Sequence, residues 1–149
     1  MNKNLLLITL TLLIYSCGYE PINTNNYKEF TIENIQLIEK NSLNNQVKSN
    51  LLFFSKPDKE KIYLTIDSKK EIVVFSRDSK SNPSNYKMTV TVDVVLKKNS
   101  KNFSKSFSEN FVYSSKDNQF DLNQYERLIA KDLINKMISK INTFIFLDN

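Results

Sequence analysis

The sequence predicts a small α+β domain: a sheet of about four strands with two helices packed on one face, in the order β-α-β-β-β-α. Three observations lead there. Residues 86–96 alternate apolar and polar side chains, the period of a strand with one buried face. Residues 125–145 switch to apolar side chains at helical spacing. The segments between are rich in Asn, Ser and Lys, and the 149-residue length suits one domain with no internal repeat.

Each element has its own signal. Phe30, Ile32, Ile35 and Leu37 mark a first strand, and the parity slips near Asn34, which predicts a bulge. Asn41 or Ser42 caps a helix in which Leu43, Val47, Leu51 and Phe54 recur at helical spacing. It ends before Pro57, whose ring pushes the preceding residue out of helical geometry. Ile62, Leu64 and Ile66 alternate with polar neighbours, and Ile72 to Phe75 continue extended after "DSKK". That tetrapeptide is either a turn or the exposed middle of one long strand. "RDSKSNPSN" reads as a turn-rich loop.

The next strand sets Tyr86, Met88, Val90, Val92, Val94 and Leu96 against Thr89, Thr91 and Asp93 on the opposite face. "KKNSKN" reads as a hairpin turn, after which Phe103, Phe107, Phe111 and Tyr113 share one face with Lys105 and Glu109. The closing helix aligns Tyr125, Leu128, Ile129, Leu133, Met137, Ile141 and Ile145, with Asp121 as its expected cap.

Composition removes most chemistry. The chain has no His, one Cys and one Gly. It therefore lacks the commonest general base, a thiolate cluster for zinc or iron–sulfur, and a glycine-rich phosphate loop. Asp58, Glu60, Asp117 and Asp121 are too dispersed to propose as a catalytic pair, and no serine has a histidine to activate it. No enzymatic activity, cofactor or metal is expected. The net charge of +5 is mild and interspersed with acids, which gives no reason to expect nucleic acid as a partner.

Residues 1–16 have the layout of a secretory signal: Lys3, an apolar run from Leu5 to Tyr15, then Ser16. The run is too short to cross a hydrocarbon core of about 30 Å comfortably. An ordinary signal peptide with an incidental cysteine, or an uncleaved anchor, fits these residues too. The segment also resembles a bacterial lipobox: Ile14 and Ser16 suit the positions before Cys17, while Tyr15 is bulkier than usual. That resemblance implies lipidation at Cys17, with each buried methylene adding about 0.8 kcal/mol of membrane affinity. Gly18, where Asp would mark inner-membrane retention, implies the outer membrane. The expected organisation is a signal peptide over 1–16, a lipidated tether over 17–28 and an α+β domain over 29–149.

Behind "CGYEP", this element order resembles the LptE family of outer-membrane lipoproteins. The likeness concentrates in "VVFSRDSKSNPSNYKMTVTVDVVL" at residues 73–96 and "SKDN" at residues 115–118. The resemblance implies a non-catalytic plug that partners the LptD β-barrel and assists lipopolysaccharide assembly. Local match puts the family's lipopolysaccharide-binding basic residues on Arg77 and Lys116. Lys80 and Lys87 flank the same loop and extend the candidate patch. An Arg fork suits phosphate oxygens, and Lys supplies a compact charge; the ordinary alternative is a set of solvated loop charges. A lipid-anchored binding or adaptor module of another envelope pathway is the competing function.

Mass spectrometry of protein extracted from membranes is expected to find a chain beginning at lipid-modified Cys17. An unmodified Cys17, or a start elsewhere, would show an ordinary signal peptide or an anchor.

Overall fold

The computed structural model describes residues 29–147; the expected signal segment, Cys17 and the tether lie outside the described residues. The elements are β1 (Phe30–Leu37), α1 (Ser42–Leu52), β2 (Glu60–Arg77), β3 (Pro83–Lys98), β4 (Lys101–Ser114) and α2 (Gln119–Leu147). The four strands form one sheet in the order β1-β2-β3-β4. β1 runs parallel to β2, and the other neighbours are antiparallel. Parallel neighbours need a crossover, and α1 supplies it by carrying the chain back to the end where β1 began. This is the expected α+β fold in the expected order.

Local chemistry explains the joints. The register of β1 slips between Ile32 and Asn34, the predicted bulge, which brings Ile35 and Leu37 back to the covered face. Asn41 caps α1: its backbone is extended, and its side-chain oxygen accepts the Asn44 amide at 2.8 Å. The helix stops at Leu52, so Phe54 is not part of its buried face. "DSKK" is no turn. Asp67, Ser68, Lys69 and Lys70 pair with Asp93, Val92, Thr91 and Val90 inside one long β2. Asn99 and Ser100 join β3 to β4 with positive φ of 47° and 65°, as a tight hairpin turn that follows strand twist requires.

The cap of α2 is Asn118 and not the expected Asp121. Asn118 Oδ1 accepts the Phe120 amide at 2.8 Å, and its carbonyl accepts the Leu122 amide. Asp121 lies in the first turn, where its charge favours the helix dipole.

Both helices cover the same side of the sheet. Ile62, Leu64 and Ile66 of β2, Met88 to Leu96 on alternate positions of β3, and Phe107 and Tyr113 of β4 join one core with both helices. α2 contributes Leu133, Ile134, Met137, Ile141 and Ile145, and α1 contributes Val47 and Leu51. Leu128 departs from the expected face and is 60% exposed. It lies nine residues from Met137, about two and a half turns, so the two point to opposite sides of the helix. Aromatic contacts close the ends of the core, with Phe30 against Phe146 at 5.1 Å and Phe107 against Phe144 at 5.9 Å.

The cover is shorter than the sheet. Burial along β2 stops at Ser68, although the strand continues to Arg77. β1 ends opposite Ile66, so the far half of β2 is an uncovered edge, whereas β3 stays buried as far as Met88 and β4 as far as Tyr113. No helix among the described residues is long and apolar enough to cross a membrane.

Ile134→Ala is expected to cost about 2–5 kcal/mol in urea unfolding, from lost burial and a residual cavity. Leu128→Ala should stay within about 0.5 kcal/mol. Equal costs would contradict the facing of α2.

Candidate lipid-contact tip of the sheet

The β2–β3 hairpin ends in a loop organised by one carboxylate. Asp78 Oδ1 accepts the amides of Lys80 at 2.8 Å and Asn82 at 2.9 Å, while Asp78 and Asn82 also pair through their backbones. Ser81 holds a positive φ of 65° to complete the turn. The Asn82 backbone N–H, foremost among these donors, holds the Asp78 carboxyl below its ordinary range. Arg77 Nη1 donates to the Ser81 carbonyl at 2.8 Å. One arm of the guanidinium is thus pinned to the loop, and the fork has further donors to offer.

Hydrogen bonds bring the end of β4 to this loop. Ser76 and Ser84 share a hydroxyl contact at 2.8 Å, and Asn85 donates to Ser76 at 2.8 Å. Ser114 Oγ donates to Asn85 Oδ1 at 3.0 Å, and the Ser115 amide donates to the Ser84 carbonyl at 2.9 Å. Lys116 follows directly, its ammonium over the Tyr125 ring at 5.1 Å from the centroid. Tyr125 packs edge-on against Tyr113, which stacks on Tyr86. Tyr113 donates to Glu126 Oε1 at 2.6 Å; burial first, then that carboxylate, pushes its phenol above the usual tyrosine range.

Arg77, Lys80 and Lys116 thus occupy one end of the sheet, although 39 residues separate the outer pair (116 − 77). Lys87 differs in placement. It pairs with Val73 and Val112 and lies on the sheet face away from the helices. All four are basic groups of the tip-side half of the sheet, but only three belong to the tip itself.

Reading the sequence for charge missed the apolar component. Val73, Val74 and Phe75 are 44%, 40% and 60% exposed on the uncovered half of β2. Phe111 and Leu128 are exposed as well and line a groove of about 480 Å³ with Tyr125, Ile129 and Leu133. The available signal was the run "IVVF" beside polar "DSKK": its side chains outnumber those the helices can cover. Among the described residues no group of three or more His, Cys, Asp or Glu is placed to hold a metal ion.

The family model LptE, described as lipopolysaccharide-assembly, matches residues 21–145. This chain belongs to the LptE family. Its fold recurs in solved structures of bacterial lipoproteins. Rare lipoprotein B from Shewanella oneidensis aligns with a TM-score of 0.56 at 15% identity, covering 78% of this chain and 99% of that one. Lipoprotein B from Nitrosomonas europaea gives 0.61 at 12% identity, covering 82% and 87%. A minor lipoprotein from Acinetobacter baumannii gives 0.54 at 14% identity, covering 82% and 94%. At such identities the likeness is one of fold. No curated protein sequence matches the chain. Family membership places this LptE-like chain in lipopolysaccharide assembly.

A carboxyl whose folded pKa lies below its unfolded value stabilises above the unfolded value and ceases to as pH falls through the folded one. The amide signals of Lys80 and Asn82 should therefore stay constant from neutral pH to about 5. They should move only in acid below the ordinary Asp value of 3.8. Movement near neutrality would show that Asp78 does not organise the loop.

Proposed function

We propose that this protein is a non-catalytic outer-membrane lipoprotein, held by lipid on Cys17, that docks into an LptD-like β-barrel as a plug and assists lipopolysaccharide assembly. Family membership supports the assembly role, and the tip of the sheet supports the contact with lipopolysaccharide. It sets Arg77, Lys80 and Lys116 beside exposed Val73, Val74 and Phe75. A phosphorylated, acylated glycolipid has the same two chemistries: phosphate oxygens for the guanidinium and ammonium groups, and hydrocarbon for the exposed apolar side chains.

The uncovered sheet face suits the plug role. Its rows carry Thr89 and Thr91 on β3 against Asn110 and Ser108 on β4, with the Thr91 and Ser108 hydroxyls 3.3 Å apart. This polar, hydrogen-bonding stretch, flanked by exposed Tyr63, Val95, Val73 and Val112, suits the polar interior of an outer-membrane barrel. Lys87 stands on that face beside Val73 and Val112, where it extends the basic patch toward the barrel wall.

Two measurements test the proposal. The full chain extracted from outer membranes is expected to co-purify one-to-one with a large barrel protein; recovery without any barrel would sink the plug role. Arg77→Glu is expected to weaken lipopolysaccharide binding about tenfold or more, the scale of a lost charge-assisted hydrogen bond. Unchanged affinity in both Arg77→Glu and Lys116→Glu would remove the tip from the binding surface.

A further inference from the structure

A second cleft lies away from the tip, between the start of α1, the middle of β2 and α2. It encloses about 540 Å³. Three features of its lining share one chemistry.

The first is the start of α1. Asn41 satisfies the Asn44 amide, but the first-turn amides of Ser42 and Leu43 have no acceptor among the described residues. The first turn contains no acidic residue, so the positive end of this 11-residue helix is not neutralised from within. The second is Ser68, which is 2% exposed and whose hydroxyl has no hydrogen-bond partner among the described residues. Ser68 has the parity of Ile62, Leu64 and Ile66, so its side chain is on the helix-facing side, where the cleft lies. A buried hydroxyl without a partner is uncommon enough to call for an explanation.

The third feature is positive charge. Lys70 follows Ser68 on the same face of β2, while Arg127 and Lys131 are one helical turn apart on α2. None of these side chains pairs with a carboxylate among the described residues; neighbouring Lys69, by contrast, is 3.4 Å from Asp67. Glu39 is the one carboxylate that lines the cleft. Cations from two elements, a helix start and an unspent hydroxyl therefore converge there.

We propose that this cleft binds a phosphate group, either free inorganic phosphate or the phosphate monoester of a lipid headgroup. Helix-start amides and a serine hydroxyl donate to phosphate oxygens, and Arg127, Lys131 and Lys70 balance the charge. The site uses none of the tip residues and does not depend on the barrel reading.

The test uses the full chain in detergent, with amide NMR shifts and calorimetry as readouts. Inorganic phosphate, compared with chloride at matched ionic strength, is expected to shift the Ser42 and Leu43 amides saturably. Mixed micelles of the detergent and phosphatidylcholine, with and without phosphatidic acid, form the second arm. A response to phosphatidic acid alone assigns the site to a headgroup; a response to inorganic phosphate assigns it to the free ion; either sustains the proposal. Arg127→Gln/Lys131→Gln should lower the affinity about tenfold or more at an unchanged melting temperature, with Lys70→Gln as a second variant on a different element. Arg77→Gln should leave this binding intact, so failure at the tip and failure here are separate results. No saturable shift in either arm, or affinity unchanged in both the double variant and Lys70→Gln, would overturn the proposal.

Discussion

The structure depends on the match between one long helix and the covered face of the sheet. α2 supplies Leu133, Ile134, Met137, Ile141 and Ile145 to a surface built from alternate residues of β2, β3 and β4. A strand repeats every two residues and a helix every 3.6, so only a helix with a continuous apolar stripe can lie along such a face. α1 fills the remaining space beside it, with Asn50 Nδ2 donating to Asn135 at 3.1 Å and Gln46 Nε2 to the Lys131 carbonyl at 3.3 Å. Both helices run in the same direction, away from the hairpin tip. The core runs along β3 to Met88 and along β4 to Tyr113, and ends before the β2–β3 turn.

From this difference in length comes the functional character of the molecule. Beyond Ser68 β2 has no cover, although Val90 and Met88 on β3 remain buried, and side chains of β2 that would be core elsewhere meet the surroundings. Val74 continues the parity of Ile66 but is 40% exposed. Serine and asparagine hydrogen bonds stabilise the tip in place of apolar packing, with Ser76, Ser84, Asn85 and Ser114 in one network. Arg77 and Lys116 flank that network, the first bonded to the Ser81 carbonyl and the second over the Tyr125 ring. The result is an end both basic and apolar, positioned by a rigid sheet.

Much of the fold was legible because its signals are local. Alternation from Tyr86 to Leu96 marks β3, and the parity slip at Asn34 marks the bulge. Sequence left "DSKK" open between turn and strand, since two lysines interrupt an apolar run; pairing with Val92 and Val90 decides it. Asp121 looked like a cap, but Asn118 lies nearer the end of β4 and captures the first-turn amide. Leu128 entered the expected buried face because i+3 spacing to Tyr125 hides its drift around a long helix. Parallel pairing of β1 with β2 has no local signature. The tip cations could be named from family likeness, yet their gathering depends on long-range strand register. The phosphate-suited cleft was invisible for the same reason, with Ser68 and Arg127 brought together from different elements.

The central claim is that the hairpin tip, and not the opposite end of the sheet, meets lipopolysaccharide. Photo-crosslinking in intact outer membranes tests it most directly, with the probe placed at Phe75 on the uncovered half of β2 or at Ser100 in the β3–β4 turn at the far end. A lipopolysaccharide adduct from position 75 and none from position 100 is the expected result. Adducts from position 100 with none from position 75 would contradict it.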